Sequence, residues 1–80
     1  MYYVYILRSL REKDKTYVGI TSDLDRRMKQ HSNPEKDRYT YRHAPWKLET
    51  YICFSNQYLA QNFEIYLKTG SGRAFIRRHF

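Results

Sequence analysis

Eighty residues make one domain, near the lower size at which a hydrophobic core alone sustains a fold, with no room for a second domain or a separate regulatory module. The single Cys53 excludes an internal disulfide and no apolar run is long enough for a signal peptide or a membrane span, so a reducing cytoplasm is the expected compartment. A net charge of +7 and a pI near 9.7 attract polyanions, of which nucleic acid is the commonest, although a basic surface also serves solubility.

Residues 2–8, Tyr-Tyr-Val-Tyr-Ile-Leu-Arg, are aromatic and β-branched and predict a buried strand. Ser9 to Lys15 is polar, as a hairpin loop is, and leads to a second strand over Thr16 to Ile20 that pairs antiparallel with the first. Thr21 and Ser22 are candidate caps for a helix over about 23–31, with Asp23 and Asp25 at its positive end and Ser32-Asn33-Pro34 stopping it. A polar loop runs to Pro45. The alternation of Leu48, Thr50, Ile52 and Phe54 predicts a third strand over Trp46 to Phe54 with one face buried. Ser55 or Asn56 caps a second helix reaching about Lys68, with Leu59, Phe63, Tyr66 and Leu67 as its apolar face and Gly70 in the left-handed position that ends helices. Residues 73–80 predict a short basic final helix. The order ββαβαα implies an α+β fold, a small three-stranded, largely antiparallel sheet flanked by helices.

Alternation in the hairpin packs Val4, Ile6, Val18 and Ile20 into one layer and leaves Tyr3, Tyr5 and Tyr17 on the other face, beside a glycine that permits close approach. An ordinary tyrosine ladder is the plain alternative. At ~100° per residue, Leu24, Arg27, Met28 and His31 share one arc of the first helix. An arginine facing inward has little reason to be there unless it meets an anion, and an imidazole one turn later shares that anion or bonds a neighbouring tyrosine. The nine tyrosines either stack on bases and bond phosphates or fill the core with their hydroxyls outward.

These residues resemble the GIY-YIG nuclease family over nearly the whole chain. The two signature tripeptides read as Tyr3-Val4-Tyr5 and Tyr17-Val18-Gly19, and Thr21, Leu24, Arg27 and His31 follow at the family's spacing. Pro45-Trp46-Lys47-Leu48 before the third strand, Glu64, and Leu67 to Gly70 extend the likeness to the small stand-alone bacterial members. Tyr3 replaces the first glycine of the signature, and Ile20 stands where some relatives carry a lysine.

The resemblance implies a metal-dependent endonuclease hydrolysing phosphodiester bonds in DNA, including structured or damaged DNA. It places one divalent cation, Mg²⁺ or Mn²⁺, on Glu64, which periodicity alone leaves as a surface glutamate on the helix flank. Tyr17 would take a proton from water with His31 or metal-bound solvent helping. Arg27 would hold the scissile phosphate, and Tyr5 would bond the phosphate or the water. Arg42, His43, Arg73, Arg77 and Arg78, with Lys36 and Arg38, are candidates for backbone-phosphate contacts or a solvated surface, and Gly70-Ser71-Gly72 for a small anion nest. The alternative is a non-catalytic nucleic-acid-binding module that retains the fold, and a protein partner or self-association is a further source of specificity.

Overall fold

The computed structural model of the protein describes residues 1–33 and 39–80. Strand β1 (Tyr2–Ser9) lies at the centre of a three-stranded sheet, between β2 (Thr16–Thr21) and β3 (Trp46–Phe54), and pairs antiparallel with both. Helices α1 (Leu24–His31) and α2 (Tyr39–Arg42) precede β3, and α3 (Gln57–Leu67) and α4 (Gly70–His79) follow it. The α+β class and the ββαβαα order are those predicted, with the short α2 added inside what the sequence presents as a polar loop.

Val4 pairs with Ile20 and Ile6 with Val18, so these four share one face of the hairpin. That face meets α3 and α4 in a core of Val4, Ile6, Val18, Ala60, Leu67 and Ile76, with Phe54, Phe63 and Phe75 packed at its margin. Tyr5 pairs with Gly19 and Leu7 with Tyr17, which puts the tyrosines on the opposite face.

Three local expectations change here, and the Asn56 cap holds. Strand β3 has a bulge: Ile6 pairs with Thr50 but Leu7 with Leu48, so an extra residue reverses the phase and Leu48 joins the tyrosine face rather than the core. On α3, Leu59 is 57 % exposed and Tyr66 is exposed as well, because the helix turns Ala60, Phe63 and Leu67 inward, where alanine's small side chain allows close approach to the sheet. Asp23, not Thr21 or Ser22, caps α1 by accepting from Arg26 N at 3.1 Å. Asn56 caps α3 through Tyr58 N and Leu59 N.

Gly70 does not end α3 in a left-handed conformation, since no described glycine has positive φ. It opens α4, whose cap is Thr69: the Thr69 hydroxyl accepts from Gly72 N at 3.2 Å and donates to the Tyr66 carbonyl at 2.6 Å. Gly70-Ser71-Gly72 is therefore the first turn of a helix whose Gly72 N–H is already satisfied, not an open anion nest.

Candidate active site

Tyr5 sits in the middle of the central strand with its phenol lying over Gly19, where any Cβ would fall on the ring and hydroxyl. This is the close approach for which a glycine is required. Helix α1, started by the Asp23 cap, presents Arg27 and His31 one turn apart to the same phenol. The Tyr5 hydroxyl accepts from Arg27 Nε at 3.1 Å and lies 2.9 Å from His31 Nε2.

Arg27 can only donate, so the Tyr5 hydroxyl accepts from it; the His31 tautomer is assigned, with the Tyr5 proton directed to Nε2 of a neutral ring that carries its own proton on Nδ1. Burial, and secondarily the Arg27 charge, push the His31 pKa down, which agrees with that assignment. Burial also raises the Tyr5 pKa, against the opposing hydrogen bond from Arg27, and keeps the phenol protonated. The Tyr5 hydroxyl raises the Arg27 pKa further, with burial opposing and the Tyr17 oxygen adding to the effect.

Tyr17 completes this cluster from β2. Its ring lies 5.2 Å from His31, edge-on, and 6.4 Å from Tyr5. Tyr17, Arg27 and His31 line an open groove of about 1360 Å³ together with Gln30, Tyr39 and Thr40. Arg27 Nη1 donates to Gln30 Oε1 at 2.9 Å, so with Nε on Tyr5 the guanidinium is aimed, and among the described residues these two bonds take up two of its five N–H groups.

The structure thus brings together Tyr5, Tyr17, Arg27 and His31, with two revisions. Tyr5 is 0 % exposed and its hydroxyl is engaged by both Arg27 and His31, so it orients those two side chains. The hydrogen bond of His31 goes to Tyr5, and its relation to Tyr17 is ring packing.

Glu64 comes from another element and shares no hydrogen bond with the four among the described residues. It belongs to α3, packed on the other face of the sheet, in step with the inward residues Ala60, Phe63 and Leu67 rather than on a free surface. Its side chain is 16 % exposed and pairs with Lys68 Nζ at 2.7 Å. Its charge reaches the Tyr5 hydroxyl, where it adds to the forces that keep that phenol protonated. Among the described residues no group of three His, Cys, Asp or Glu side chains is placed to hold a metal ion.

A second groove, of about 850 Å³, adjoins the first and is lined by Arg8, Lys15, Lys68, Arg73 and Arg77 with one acidic residue, Asp14. Tyr17 and Tyr39 line both. Arg73 and Arg77 therefore face a cationic trough, whereas Arg42 and Arg78 are exposed outside it. His43 is half-buried, paired with Glu12, and packed on Tyr39. Lys36 and Arg38 lie outside the described residues. Sequence reasoning missed Tyr39 and Trp46 as parts of this wall, because their stacking depends on α2, which carries too few residues to show a period.

No helix among the described residues is long and apolar enough to cross a membrane. Residues 1–77 match the family model described as the GIY-YIG catalytic domain. A UPF0213 protein of Clostridium perfringens is 38 % identical over 68 residues, covering 85 % of this chain and 71 % of that protein. Another UPF0213 protein, from Halalkalibacterium halodurans, is 36 % identical over 73 residues, covering 90 % of this chain and 74 % of that one. The structure-specific endonuclease subunit SLX1 of Malassezia globosa is 36 % identical over 67 residues, which are 80 % of this chain but 15 % of that longer protein. With the family match spanning the hairpin, α1 and α3, the chain belongs to the GIY-YIG family of nucleases.

Proposed function

We propose that the chain is a metal-dependent endonuclease that hydrolyses phosphodiester bonds in DNA, with Arg27 as the phosphate ligand and Tyr17 as the group that accepts a proton from the attacking water. The observation that carries this reading is the aimed Arg27 guanidinium, held by Tyr5 and Gln30 beside the Tyr17 ring at the mouth of an open groove. A cation oriented before substrate arrives stabilises charge growing on the phosphate oxygens without reorganising at the moment of reaction. His31, kept neutral by burial, accepts the hydrogen bond of the still-protonated Tyr5 hydroxyl and so keeps an oxygen lone pair turned toward Arg27.

Glu64 would hold a hard divalent cation such as Mg²⁺ or Mn²⁺ through one largely buried carboxylate, with water and substrate phosphate as the other ligands, and the cation would have to displace the Lys68 ammonium that pairs with that carboxylate. Held at Glu64, such a cation would supply positive charge to offset the leaving 3′ oxygen. Structured or damaged DNA is the substrate class this reading favours, the first of the two being in line with the structure-specific endonuclease subunit SLX1 among the relatives. A protein partner or second copy that adds specificity fits the exposed Tyr58, Leu59 and Ile65 along α3 and the word subunit in that same name.

The test is cleavage of labelled single-stranded, duplex, flap and branched DNA, and of RNA, with Mg²⁺ or Mn²⁺, alongside binding measured without metal. Glu64→Gln should abolish metal-dependent cleavage and leave metal-free affinity equal or slightly higher, since a carboxylate repels phosphate unless a cation intervenes. Arg27→Ala should cut the rate by about 10²–10³-fold and weaken binding as well. A Glu64→Gln protein that cuts at the wild-type rate overturns the metal assignment. Wild type that binds but cuts no substrate supports instead a non-catalytic binding module.

A further inference from the structure

The wall shared by the two grooves is aromatic. Tyr39 stacks on Tyr17 with centroids 6.4 Å apart and planes 30° apart, and lies 5.9 Å from Trp46 at 31° and 4.5 Å from His43. Three polar ends of this tier are tied down. The Tyr39 hydroxyl donates to the Thr16 carbonyl at 3.2 Å, Trp46 Nε1 to the Thr40 carbonyl at 2.7 Å, and the His43 ring is paired with Glu12. The His43 carbonyl accepts from Ser9 Oγ at 2.5 Å, anchoring the segment after α2 to the end of β1. Tyr39 is nevertheless 41 % exposed, and it borders both the Arg27 groove and the trough lined by Arg73 and Arg77.

An aromatic ring held by its hydroxyl and by three aromatic neighbours loses little freedom when something stacks on it, and cations on either side select a ligand with phosphates on both sides of a flat group. That description fits a nucleotide within a strand. We propose that Tyr39 is a base-stacking platform that seats the nucleobase adjoining the phosphate at Arg27, with the neighbouring phosphate directed into the Arg73 and Arg77 trough. A base inside a duplex has both faces covered, so the platform selects a nucleotide that is unpaired or has been turned out of its stack. The proposal rests on the phosphate-binding reading of Arg27 but not on cleavage.

The test compares, in the absence of metal, binding of a short oligothymidylate and of a deoxyribose-phosphate oligomer of the same length and charge that carries no bases. Wild type should prefer the base-bearing strand by about 5- to 150-fold, the range that one to three kcal/mol of stacking per base corresponds to. Tyr39→Phe should keep the preference. Tyr39→Ala and Tyr39→Leu should lose it while binding the base-free oligomer as wild type does; Leu retains apolar cover over Tyr17 and Trp46 without a π face, which separates loss of stacking from loss of fold. Equal binding of the two oligomers by wild type, or a preference that survives in Tyr39→Leu, overturns the platform. If Arg27→Ala weakens neither oligomer, it is the phosphate reading that fails, and absence of cleavage by wild type leaves both binding results interpretable.

Discussion

The Tyr5 hydroxyl has one proton to give and one cationic donor to satisfy, and its two neighbours on α1 are of the types that take each role: Arg27 gives and His31 receives. His31 is the weak point of that arrangement in acid. Its folded-state pKa lies below the ordinary 6.5, so as pH falls the unfolded chain takes up the proton first. The stability this residue contributes is fully present above about 6.5 and is lost as pH falls through the depressed folded value. Thermal unfolding of wild type should therefore be level in this respect above neutrality and decline below it. His31→Gln, which retains an acceptor for Tyr5 but does not titrate, should decline less over the same window. Matching declines in the two proteins would remove His31 from the account. Protonated His31 can no longer accept from Tyr5 and repels Arg27, so nuclease activity should fall on the same acid limb.

The corner between α3 and α4 shows how an element boundary is decided by what lies across from it. Gly70 and Gly72 read alike in sequence, yet a Cβ at Gly70 meets nothing within contact range, while one at Gly72 runs into the Tyr66 carbonyl and the Leu67 backbone. Gly70→Ala should stabilise by about 0.4–1 kcal/mol, because φ there is not positive and the unfolded chain loses freedom. Gly72→Ala should destabilise by about 1–3 kcal/mol, since backbone and not a flexible side chain must move. Urea unfolding midpoints of the two variants should shift in opposite directions, and a shared direction would mean that the α3–α4 spacing is not set by Gly72. The β3 bulge is a similar case: alternation alone puts Leu48 in the core, and the extra residue opposite the step from Ile6 to Leu7 moves it to the tyrosine face.

At the scale of the whole molecule the charge is arranged, not merely abundant. Two grooves meet at Tyr17 and Tyr39, one holding Arg26, Arg27 and Lys29 with Asp23 and Asp25, the other the five cations that include Arg73 and Arg77 with Asp14. A strand bound across both neutralises several phosphates, so log affinity should fall linearly with log salt. Anisotropy titrations over a salt series should show this slope, and Arg27→Ala or Arg77→Ala should each reduce its magnitude by about one if that side chain contacts a phosphate. Arg78, exposed outside the trough, serves as the comparison: Arg78→Ala should leave the slope nearly unchanged.

The hairpin and the inward side of α1 were legible in the chain itself, because period-two alternation places Val4, Ile6, Val18 and Ile20 on one face and a 3.6-residue turn keeps Arg27 and His31 on one arc. Both are local rules, satisfied within a few residues. The inward turn of Glu64 was not legible, because α3 chooses its buried stripe by fitting Ala60 against the sheet and leaves the larger Leu59 outside. Nor was the engagement of Tyr5 on both sides, which takes two side chains from an element 22 and 26 residues away. The Tyr39 wall required β2, α2 and β3 to converge on one ring. Short-range periodicity determines which face a residue occupies, but which of those faces meet, and at what distance, is decided only when distant elements pack and their volumes and hydrogen bonds are satisfied together.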